Sequence, residues 1–297
     1  MIVGAIDVGT NSVKMLVAKR EDGRLRTLAH RVAITRLGAG LSRSGRIRLE
    51  SADRTLEALA DFRALCDRLG CDRIVAVGTE ALRRAKNGRE FIERCEYEAG
   101  LHLRVIEGAE EAKLSFLGAT ADWPGRLLTA LDVGGGSSEI MVGRDGRPSM
   151  AVSVPIGAVS ITEAHLRGDP PSAAERGRAA RAVRERLPGL ARAGDLVGIG
   201  GAAITIGAIL GARRGSARLH GMRVARAQVE ALLDELAAMK LAARRKVPGL
   251  EPERADIIVG GMLIVLEVMR ALGSPRLLLS RHGLRRGLIL SETRGRR

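Results

Sequence analysis

Two aspartates stand at equivalent places in two similar segments of this 297-residue sequence. Each follows an apolar run and precedes a turn of small residues, Asp7 before VGTNS and Asp132 before VGGGSS. A carboxylate at the end of a strand can hold Mg²⁺, either directly or through water. A glycine-rich turn exposes backbone N–H groups that bind phosphate oxygens without a side chain in the way. The two segments therefore predict a phosphate-containing ligand together with a divalent metal ion.

Three glycine-rich turns follow apolar runs, at residues 7–12, 132–137 and 198–201. The common nucleotide-binding patterns GxxxxGK[ST] and GxGxxG do not occur in the sequence. One glycine turn alone would be weak evidence of a phosphate site. Three of them on successive predicted strands, two being copies that carry an aspartate, are much stronger evidence.

Further carboxylates lie close to these turns in the sequence. Glu139 follows Asp132 by seven residues on the predicted returning strand, and Glu110 and Glu111 precede an apolar helix. Each group also has a simpler explanation. Paired glutamates suit the N-terminus of a helix because of the helix dipole, and Asp132 could simply cap its turn. The residues alone leave both explanations open.

The segments 6–17 and 131–142 read as an internal repeat. Each consists of a strand, a tight glycine turn and a returning strand. The repeat predicts two similar domains that both open with this hairpin, and two unrelated glycine hairpins are the alternative. A proline and a glycine precede the second copy, so the boundary is expected within 119–126, giving domains 1–120 and 121–297.

Strands and helices alternate in both predicted domains, which favours an α/β fold. Helices are predicted where apolar residues recur at helical spacing, and strands where short apolar runs are bounded by turn residues. Ser172 and Glu175 form a predicted capping box. The predicted helices are 51–69, 79–85, 110–118, 172–187, 202–210, 227–240, 254–272 and 284–293, and the strands outside the hairpins are 73–78, 103–106, 196–199 and 275–280.

The chain is strongly basic, with 49 basic and 34 acidic side chains and a formal net charge of +15. Nucleic acid is not expected as a partner, because five aromatic residues are too few for a base-stacking platform. The arginines are also spread along the chain without a basic arm. A polyanion other than nucleic acid would use this charge, since arginine binds phosphate oxygens well. A composition bias scattered over the surface is the alternative.

Neither a membrane span nor a secretory leader is expected. The longest apolar run, 257–266, has ten residues, which is about half of what a span needs. The first residues lack the basic and apolar regions of a signal peptide. Three cysteines without CxxC spacing exclude a disulfide scaffold and fit the reducing cytoplasm.

Five motifs, in their order along the chain, resemble the exopolyphosphatase/guanosine pentaphosphate phosphatase (Ppx/GppA) family. They are VGAIDVGTNSVKML (3–16), AVGTEALRRAKN (76–87), IEGAEEAKLSFLG (106–118), LDVGGGSSEIMV (131–142) and HGLRRGLIL (282–290). That family belongs to the superfold of actin, sugar kinases and Hsp70. The resemblance implies two actin-like (ribonuclease H-like) α/β domains with an interdomain cleft, and makes the last helix a candidate to pack back on the first domain.

The resemblance also implies roles for individual residues. Glu111 corresponds to the glutamate that orients and deprotonates the attacking water, and Glu139 to a second catalytic carboxylate. Asp132, Glu139 and Asp7 correspond to ligands of Mg²⁺ or Mn²⁺. The implied phosphate-binding residues are Gly9, Thr10, Asn11, Ser12, Gly134, Gly135, Gly136, Ser137, Ser138, Gly200, Gly201 and Arg83, and for Arg83 a structural role is equally open.

Two residues depart from the family pattern. Ala202 follows the third glycine turn where the family has serine or threonine, which removes one side-chain contact to phosphate and leaves the backbone donors. Arg286 stands where the family has glutamate, which puts a hinge or surface contact in doubt.

The predicted function is an exopolyphosphatase that releases terminal orthophosphate from inorganic polyphosphate by metal-assisted attack of water. Hydrolysis of guanosine pentaphosphate to the tetraphosphate is a second expected activity that the sequence leaves open. Two alternatives remain, an ATP-dependent kinase of the same superfold and a non-catalytic regulator that binds polyphosphate or an alarmone. The expected ligands are inorganic polyphosphate and/or guanosine pentaphosphate, a homodimer is left open, and neither nucleic acid nor membrane is expected.

Overall fold

A computed structural model describes residues 1–21, 24–187, 189, 193–212 and 219–294. Within this part, no helix combines the length and apolar character that a membrane span requires. The chain forms two compact units, Met1–Gly118 with Leu284–Arg297, and Ala119–Gly283. The first boundary lies close to the predicted one at residue 120. The predicted range 121–297 differs in its last part, because residues from Leu284 onward group with the first unit.

The first unit is built on a five-stranded sheet of order β3-β2-β1-β4-β5. Strand β2 runs antiparallel to both neighbours, and β1, β4 and β5 are parallel. Apolar residues of α2 and α4, among them Leu59 and Phe91, share a core with Ile6 and Val8 of β1. The elements are β1 (Ile2–Val8), β2 (Val13–Glu21), β3 (Arg24–Ala33), α1 (Leu41–Ser44), α2 (Leu49–Arg68), β4 (Arg73–Gly78), α3 (Glu80–Arg84), α4 (Gly88–Ala99), β5 (Leu103–Val105) and α5 (Gly108–Thr120).

The second unit is built on a six-stranded sheet of order β10-β11-β9-β6-β7-β8. Its elements are β6 (Leu128–Val133), β7 (Ser138–Arg144), β8 (Arg147–Val154), α6 (Ala158–His165), α7 (Ala173–Arg186), β9 (Asp195–Ile199), α8 (Gly200–Ala212), β10 (Arg223–Ala225), α9 (Arg226–Ala238), α10 (Leu241–Arg244), α11 (Ile258–Ala271) and β11 (Arg276–Leu279). Strands β6, β9 and β11 are parallel, and β7 is antiparallel to β6 and β8. Apart from the edge strand β10, this order repeats that of the first sheet. The predicted pair of similar α/β domains is confirmed.

Helix α11 is the centre of the second unit. Every residue from Ile258 to Met269 is buried, because α6, α7, α8 and α9 pack around it. The helix predicted at 254–272 was wrong at its start, since Pro252–Arg254 form a separate 3₁₀ turn before it. Helix α11 begins at Ile258, where the apolar run lies, so the prediction extended the helix over residues that precede this run. The predicted capping box is confirmed, since the amide N of Glu175 donates to Oγ of Ser172.

The last helix, α12 (Leu284–Arg294), returns to the first unit. Its apolar residues Leu284, Leu288 and Ile289 form a core with Val3 and Ala5 of β1. Nη1 of Arg285 also donates to the carbonyl O of Met15, at 3.0 Å. The helix covers a sheet face that is apolar, and burial of that face explains why the end of the chain belongs to the first unit.

Candidate functional site

The two predicted hairpins have the same turn. In the first, the amide N of Gly9 donates to the carbonyl O of Ser12, at 3.1 Å, and in the second Gly134 donates to Ser137, at 2.9 Å. The strands also pair in equivalent register, with Asp7 opposite Lys14 and Asp132 opposite Glu139. The internal repeat predicted from the sequence is therefore confirmed.

The two copies differ in the residue opposite the aspartate. Nζ of Lys14 lies 3.7 Å from Oδ2 of Asp7, so the first hairpin already supplies a cation to its carboxylate. In the second hairpin the residue opposite Asp132 is Glu139. Like charges directly opposite each other destabilise a strand pair unless something compensates them. An oxygen-only pair of this kind fits Mg²⁺ or Mn²⁺, so the metal-binding prediction rests mainly on Asp132 and Glu139.

The third glycine turn lies against Asp132. Gly200 has φ = +77°, and a Cβ at this position would lie 2.2 Å from Oδ1 of Asp132. A Cβ at Gly283 would lie 3.9 Å from Oδ2 of the same residue. The parallel strands β6 and β9 end side by side here, with Asp132 paired to Ile199. The structure therefore brings together the second and third predicted turns.

Two serines hold the carboxylate of Glu139, which is 1% exposed. Its Oε1 accepts hydrogen bonds from Oγ of Ser137 and Oγ of Ser153, both at 2.8 Å. The hydroxyl of Ser138 donates to the carbonyl O of Ile156, at 2.6 Å. Both hydroxyls of the second turn are thus hydrogen-bonded within the protein, and the amide of Gly134 donates to Ser137. The other backbone N–H groups of the turn remain as its predicted phosphate contacts.

The second turn is braced by the start of α6. The amides of Ala158 and Val159 donate to the carbonyl oxygens of Gly134 and Gly135, at 2.9 and 2.8 Å. A Cβ at Gly157 would lie only 2.3 Å from the carbonyl group of Gly135, so the helix can approach the turn this closely only with glycine there. These contacts fix the conformation of the segment that also contains Gly136.

The first turn is buried, with Thr10, Asn11 and Ser12 at most 8% exposed. The carbonyl oxygens of Thr10 and Asn11 accept hydrogen bonds from the amides of Gly38 and Arg36, at 2.8 and 3.0 Å. Nδ2 of Asn11 is buried and has no hydrogen-bond partner among the described residues. An unsatisfied buried donor costs about 1–3 kcal/mol. A ligand with acceptor oxygens, such as phosphate, would relieve this cost.

Glu111 is held by Arg83. It lies in the first turn of α5 and is 9% exposed. Nη1 of Arg83 donates to Oε2 of Glu111, at 2.8 Å, and to the carbonyl O of Ile106, at 2.7 Å. Nη2 donates to Oε2 of Glu80, at 3.1 Å. Burial lowers the pKa of Arg83, but the hydrogen bonds and charges of Glu111 and Glu80 outweigh it, so that the pKa is raised. These contacts hold the guanidinium of Arg83 against Glu111 and Glu80, which is the structural role left open by the sequence.

The neighbouring Glu110 has a different environment. Nη1 and Nη2 of Arg104 donate to its two carboxylate oxygens, at 2.8 and 2.7 Å, and both side chains are exposed. The hydrogen bond from Arg104 lowers the pKa of Glu110, and burial opposes this only in part. Of the paired glutamates, Glu111 is therefore the buried one. This supports its predicted role over that of Glu110.

Arg254 is a candidate that the sequence analysis missed. A Cβ at Gly201 would lie 2.1 Å from Nη1 of Arg254, whose side chain is 12% exposed and pairs with Glu251. A guanidinium against a glycine turn suits phosphate. The sequence places Arg254 inside a predicted helix, so it does not predict the contact of this side chain with the turn at Gly201.

Ala202, one of the two departures from the family pattern, is buried beside α11. Its Cβ lies 3.0 Å from the position that a Cβ on Gly261 would take, so the alanine side chain packs against this helix.

The cysteines do not offer an alternative nucleophile. Burial raises the pKa of Cys66 and of Cys95 to about 12, and it also raises the pKa of Cys71. The thiolate is the reactive form of cysteine. All three thiols therefore form the thiolate less readily than an ordinary cysteine does.

Known proteins resemble this chain along nearly its whole length. The Ppx/GppA phosphatase family matches residues 16–295. Exopolyphosphatase 2 of Mycobacterium tuberculosis is 35% identical, over 97% of this chain and 98% of that protein. The Aquifex aeolicus member of the Ppx/GppA family has 31% identity and a TM-score of 0.82, over 98% and 97% of the two chains. An exopolyphosphatase from Cytophaga hutchinsonii has 26% identity and a TM-score of 0.91, over 100% and 99%.

These relatives confirm two parts of the sequence interpretation, the actin-like α/β fold and the family that the five motifs indicated. The duplicated hairpins that carry Asp7 and Asp132 form two of these five motifs. The chain belongs to the Ppx/GppA phosphatase family.

Proposed function

We propose that this protein is an exopolyphosphatase, a hydrolase that releases orthophosphate from the end of inorganic polyphosphate. The observation that carries the proposal is the buried carboxylate of Glu111, whose Oε2 accepts a hydrogen bond from Nη1 of Arg83 at 2.8 Å. The neighbouring Glu110 instead pairs with the exposed Arg104. A hydrolase needs such a base to take a proton from water, whereas a binding protein does not. The name of the M. tuberculosis relative supports the same activity.

Glu111 accepts a proton from water as the water oxygen attacks the terminal phosphorus. The bond from that phosphorus to its bridging oxygen breaks, and the shortened polyphosphate leaves with the bonding electron pair on that oxygen. Backbone N–H groups of the glycine turns stabilise the charge on the phosphoryl oxygens. Arg83 keeps the carboxylate of Glu111 oriented, and Nδ2 of Asn11 provides a buried donor for a phosphate oxygen.

We propose Mg²⁺, with Mn²⁺ as an alternative, as the cofactor of this activity. Asp132 and Glu139 would hold it, because they face each other across β6 and β7 and offer only oxygen donors. The ion would neutralise negative charge on the substrate's phosphate groups. Ser137 and Ser153 hold Glu139 in place without it.

We also propose guanosine pentaphosphate as a second substrate, because its terminal phosphate is joined by the same phosphoanhydride bond. The free cysteines support an additional proposal, that the protein acts in the reducing cytoplasm.

The test is orthophosphate release by the purified full-length protein from long-chain polyphosphate, guanosine pentaphosphate and ATP, each with Mg²⁺. We expect release from polyphosphate, weaker release from guanosine pentaphosphate and least from ATP. ATP consumption that depends on an added phosphoryl acceptor would instead identify a kinase. Tight polyphosphate binding without any release would identify a regulator.

A further inference from the structure

Two histidines and an aspartate meet in the second unit at a place that the proposed phosphatase chemistry does not use. One ligand atom from each of Asp122, His220 and His282 lies within 4.8 Å of the other two. Oδ2 of Asp122 is 3.3 Å from Nε2 of His220 and 3.8 Å from Nε2 of His282. The three side chains are 31–35% exposed. The cluster is thus accessible to an ion from solution.

Hydrogen bonds near the three residues fix their positions. The amide of His282 donates to Oγ of Ser280, at 3.3 Å, and that hydroxyl donates to the carbonyl O of Ala119, at 3.1 Å. This links the segment of His282 to the segment of Asp122. The amide of Gly221, next to His220, donates to the carbonyl O of Leu279, at 2.8 Å. The sites of all three side chains are therefore set by the fold, although they are far apart in sequence.

The rings are also held against each other. The ring of His220 stacks on Trp123, with centroids 5.0 Å apart and planes at 20°. The rings of His220 and His282 have centroids 4.9 Å apart. Stacking limits the rotation of the His220 ring, so that its Nε2 stays near the carboxylate of Asp122.

The donor set and its spacing favour a transition metal. Imidazole and carboxylate suit first-row divalent ions such as Zn²⁺, whereas Mg²⁺ prefers oxygen donors. With Zn–N and Zn–O distances of about 2.0–2.1 Å, tetrahedral ligand atoms lie about 3.3–3.4 Å from one another. The distance from Asp122 to His220 already has this value. The other two separations, from His282 to Asp122 and to His220, need to become shorter by about 1.5 Å at most, which side-chain rotation can provide.

We propose that Asp122, His220 and His282 bind one divalent transition-metal ion such as Zn²⁺, with water completing the coordination. The chain enters the second unit at Ala119 and leaves it after Gly283, so Asp122 and His282 lie near the two ends of that unit. A bound ion links Asp122 and His282, near the two ends of the unit, to each other and to His220. This raises the thermal stability of the protein, because the ion binds the folded chain only.

The strength of binding follows from the surroundings of His220. Its Nδ1 is buried and has no hydrogen-bond partner in the described part of the chain. Ligating histidines usually donate this second N–H to a partner, and loss of that partner costs about 10–100-fold in metal affinity. We therefore expect modest affinity, weaker than that of a structural zinc site.

The experiment is a calorimetric titration of the untagged full-length protein with Zn²⁺, together with Co²⁺ absorption spectroscopy. Trp123 is the single tryptophan of the chain and lies beside His220, so its fluorescence gives a third readout of binding. We expect one ion per chain, retained in excess Mg²⁺. His220→Gln, His282→Gln and Asp122→Asn should each weaken binding by about tenfold or more.

Two matched variants serve as controls. His102→Gln alters another exposed histidine that lies beside a carboxylate, with Nδ1 3.9 Å from Oε1 of Glu96. Asp132→Asn alters the oxygen-only pair. Both should bind Zn²⁺ as the parent does. Absence of Zn²⁺ binding in the parent, or unchanged affinity in folded His282→Gln and Asp122→Asn, would overturn the proposal.

Discussion

Replacing Arg83 by methionine should both destabilise the protein and move its activity to higher pH. The guanidinium donates hydrogen bonds to Glu111, Glu80 and the carbonyl O of Ile106, at 2.8, 3.1 and 2.7 Å. The side chains of the three charged residues are 12–14% exposed, so water can replace these contacts only in part. Hydrogen bonds to charged groups contribute about 1.5–3 kcal/mol each, and they are not additive. We therefore expect a loss of about 2–4 kcal/mol in the free energy of unfolding.

The effect on activity has a separate cause. Without the positive charge beside it, the carboxylate of Glu111 takes up a proton more readily, and the protonated form cannot act as a base. The acid limb of the pH profile of kcat/KM should move to higher pH, with kcat lowered more than KM is raised. Orthophosphate release from polyphosphate between pH 5 and 9, at about one-unit steps, measures this.

Arg84→Met is the matched control, because Arg84 is 42% exposed and its Nη1 lies 3.7 Å from Oε1 of Glu80. An exposed pair of this kind contributes at most about 1 kcal/mol, and we expect an unchanged pH profile. If Arg83→Met kept kcat and the acid limb but raised KM, the arginine would be a phosphate ligand. The positioning role would then be wrong.

Four further outcomes are expected. Asp132→Asn should raise the Mg²⁺ concentration for half-maximal activity by about tenfold or more, and full activity of the parent after exhaustive chelation would contradict the metal proposal. Gly200→Ala should abolish activity, since a Cβ there would lie 2.2 Å from Oδ1 of Asp132. Gly273→Ala is the control, because Gly273 also has a positive φ, +58°, but has open space around it. This variant should lose only about 1–2 kcal/mol in the free energy of unfolding, the cost of the left-handed backbone. The KM for long polyphosphate should fall with chain length and rise with salt at constant kcat, whereas equal KM values for short and long chains would make the basic surface a composition bias. Hydrogen bonds from the backbone and side chain of Ser172 lower the pKa of Glu175 from 4.5 to about 2. The difference in Tm between the parent and Glu175→Gln should therefore be largest above pH 4.5 and should vanish as the pH falls towards 2.

The duplicated hairpins could be predicted because their signal is local. A strand, an Asp-Val-Gly turn and a returning strand are encoded in about a dozen consecutive residues, and the turn hydrogen bonds of Gly9 and Gly134 follow from them. Strand β3 was not predicted, since most of its residues are exposed or half-buried and it lacks an apolar run. It is formed by pairing with β2, which the local sequence does not encode.

The candidate site likewise combines local features, which the sequence predicts, with contacts between distant residues, which it does not. The glycine turns and the strand-end carboxylates are local features, and the sequence located them. The contact between Arg83 and Glu111 joins residues 28 positions apart, and that between Arg254 and Gly201 joins more distant ones. Asp122, His220 and His282 come together only through the packing of three loops. Such contacts depend on tertiary structure, so spacing along the chain could not predict them.

Orthophosphate release from long-chain polyphosphate by the parent, Glu111→Gln and Glu110→Gln tests whether Glu111 is the catalytic base. The two variants make the same chemical change at neighbouring positions of α5, one in a buried carboxylate and one in an exposed carboxylate. We expect Glu111→Gln to lose about 10²–10⁴-fold in kcat, as removal of a general base does, with polyphosphate binding retained. Glu110→Gln should stay close to the parent. Activity of Glu111→Gln within about threefold of the parent, or equal losses in both variants, would contradict the assignment of Glu111 as the base.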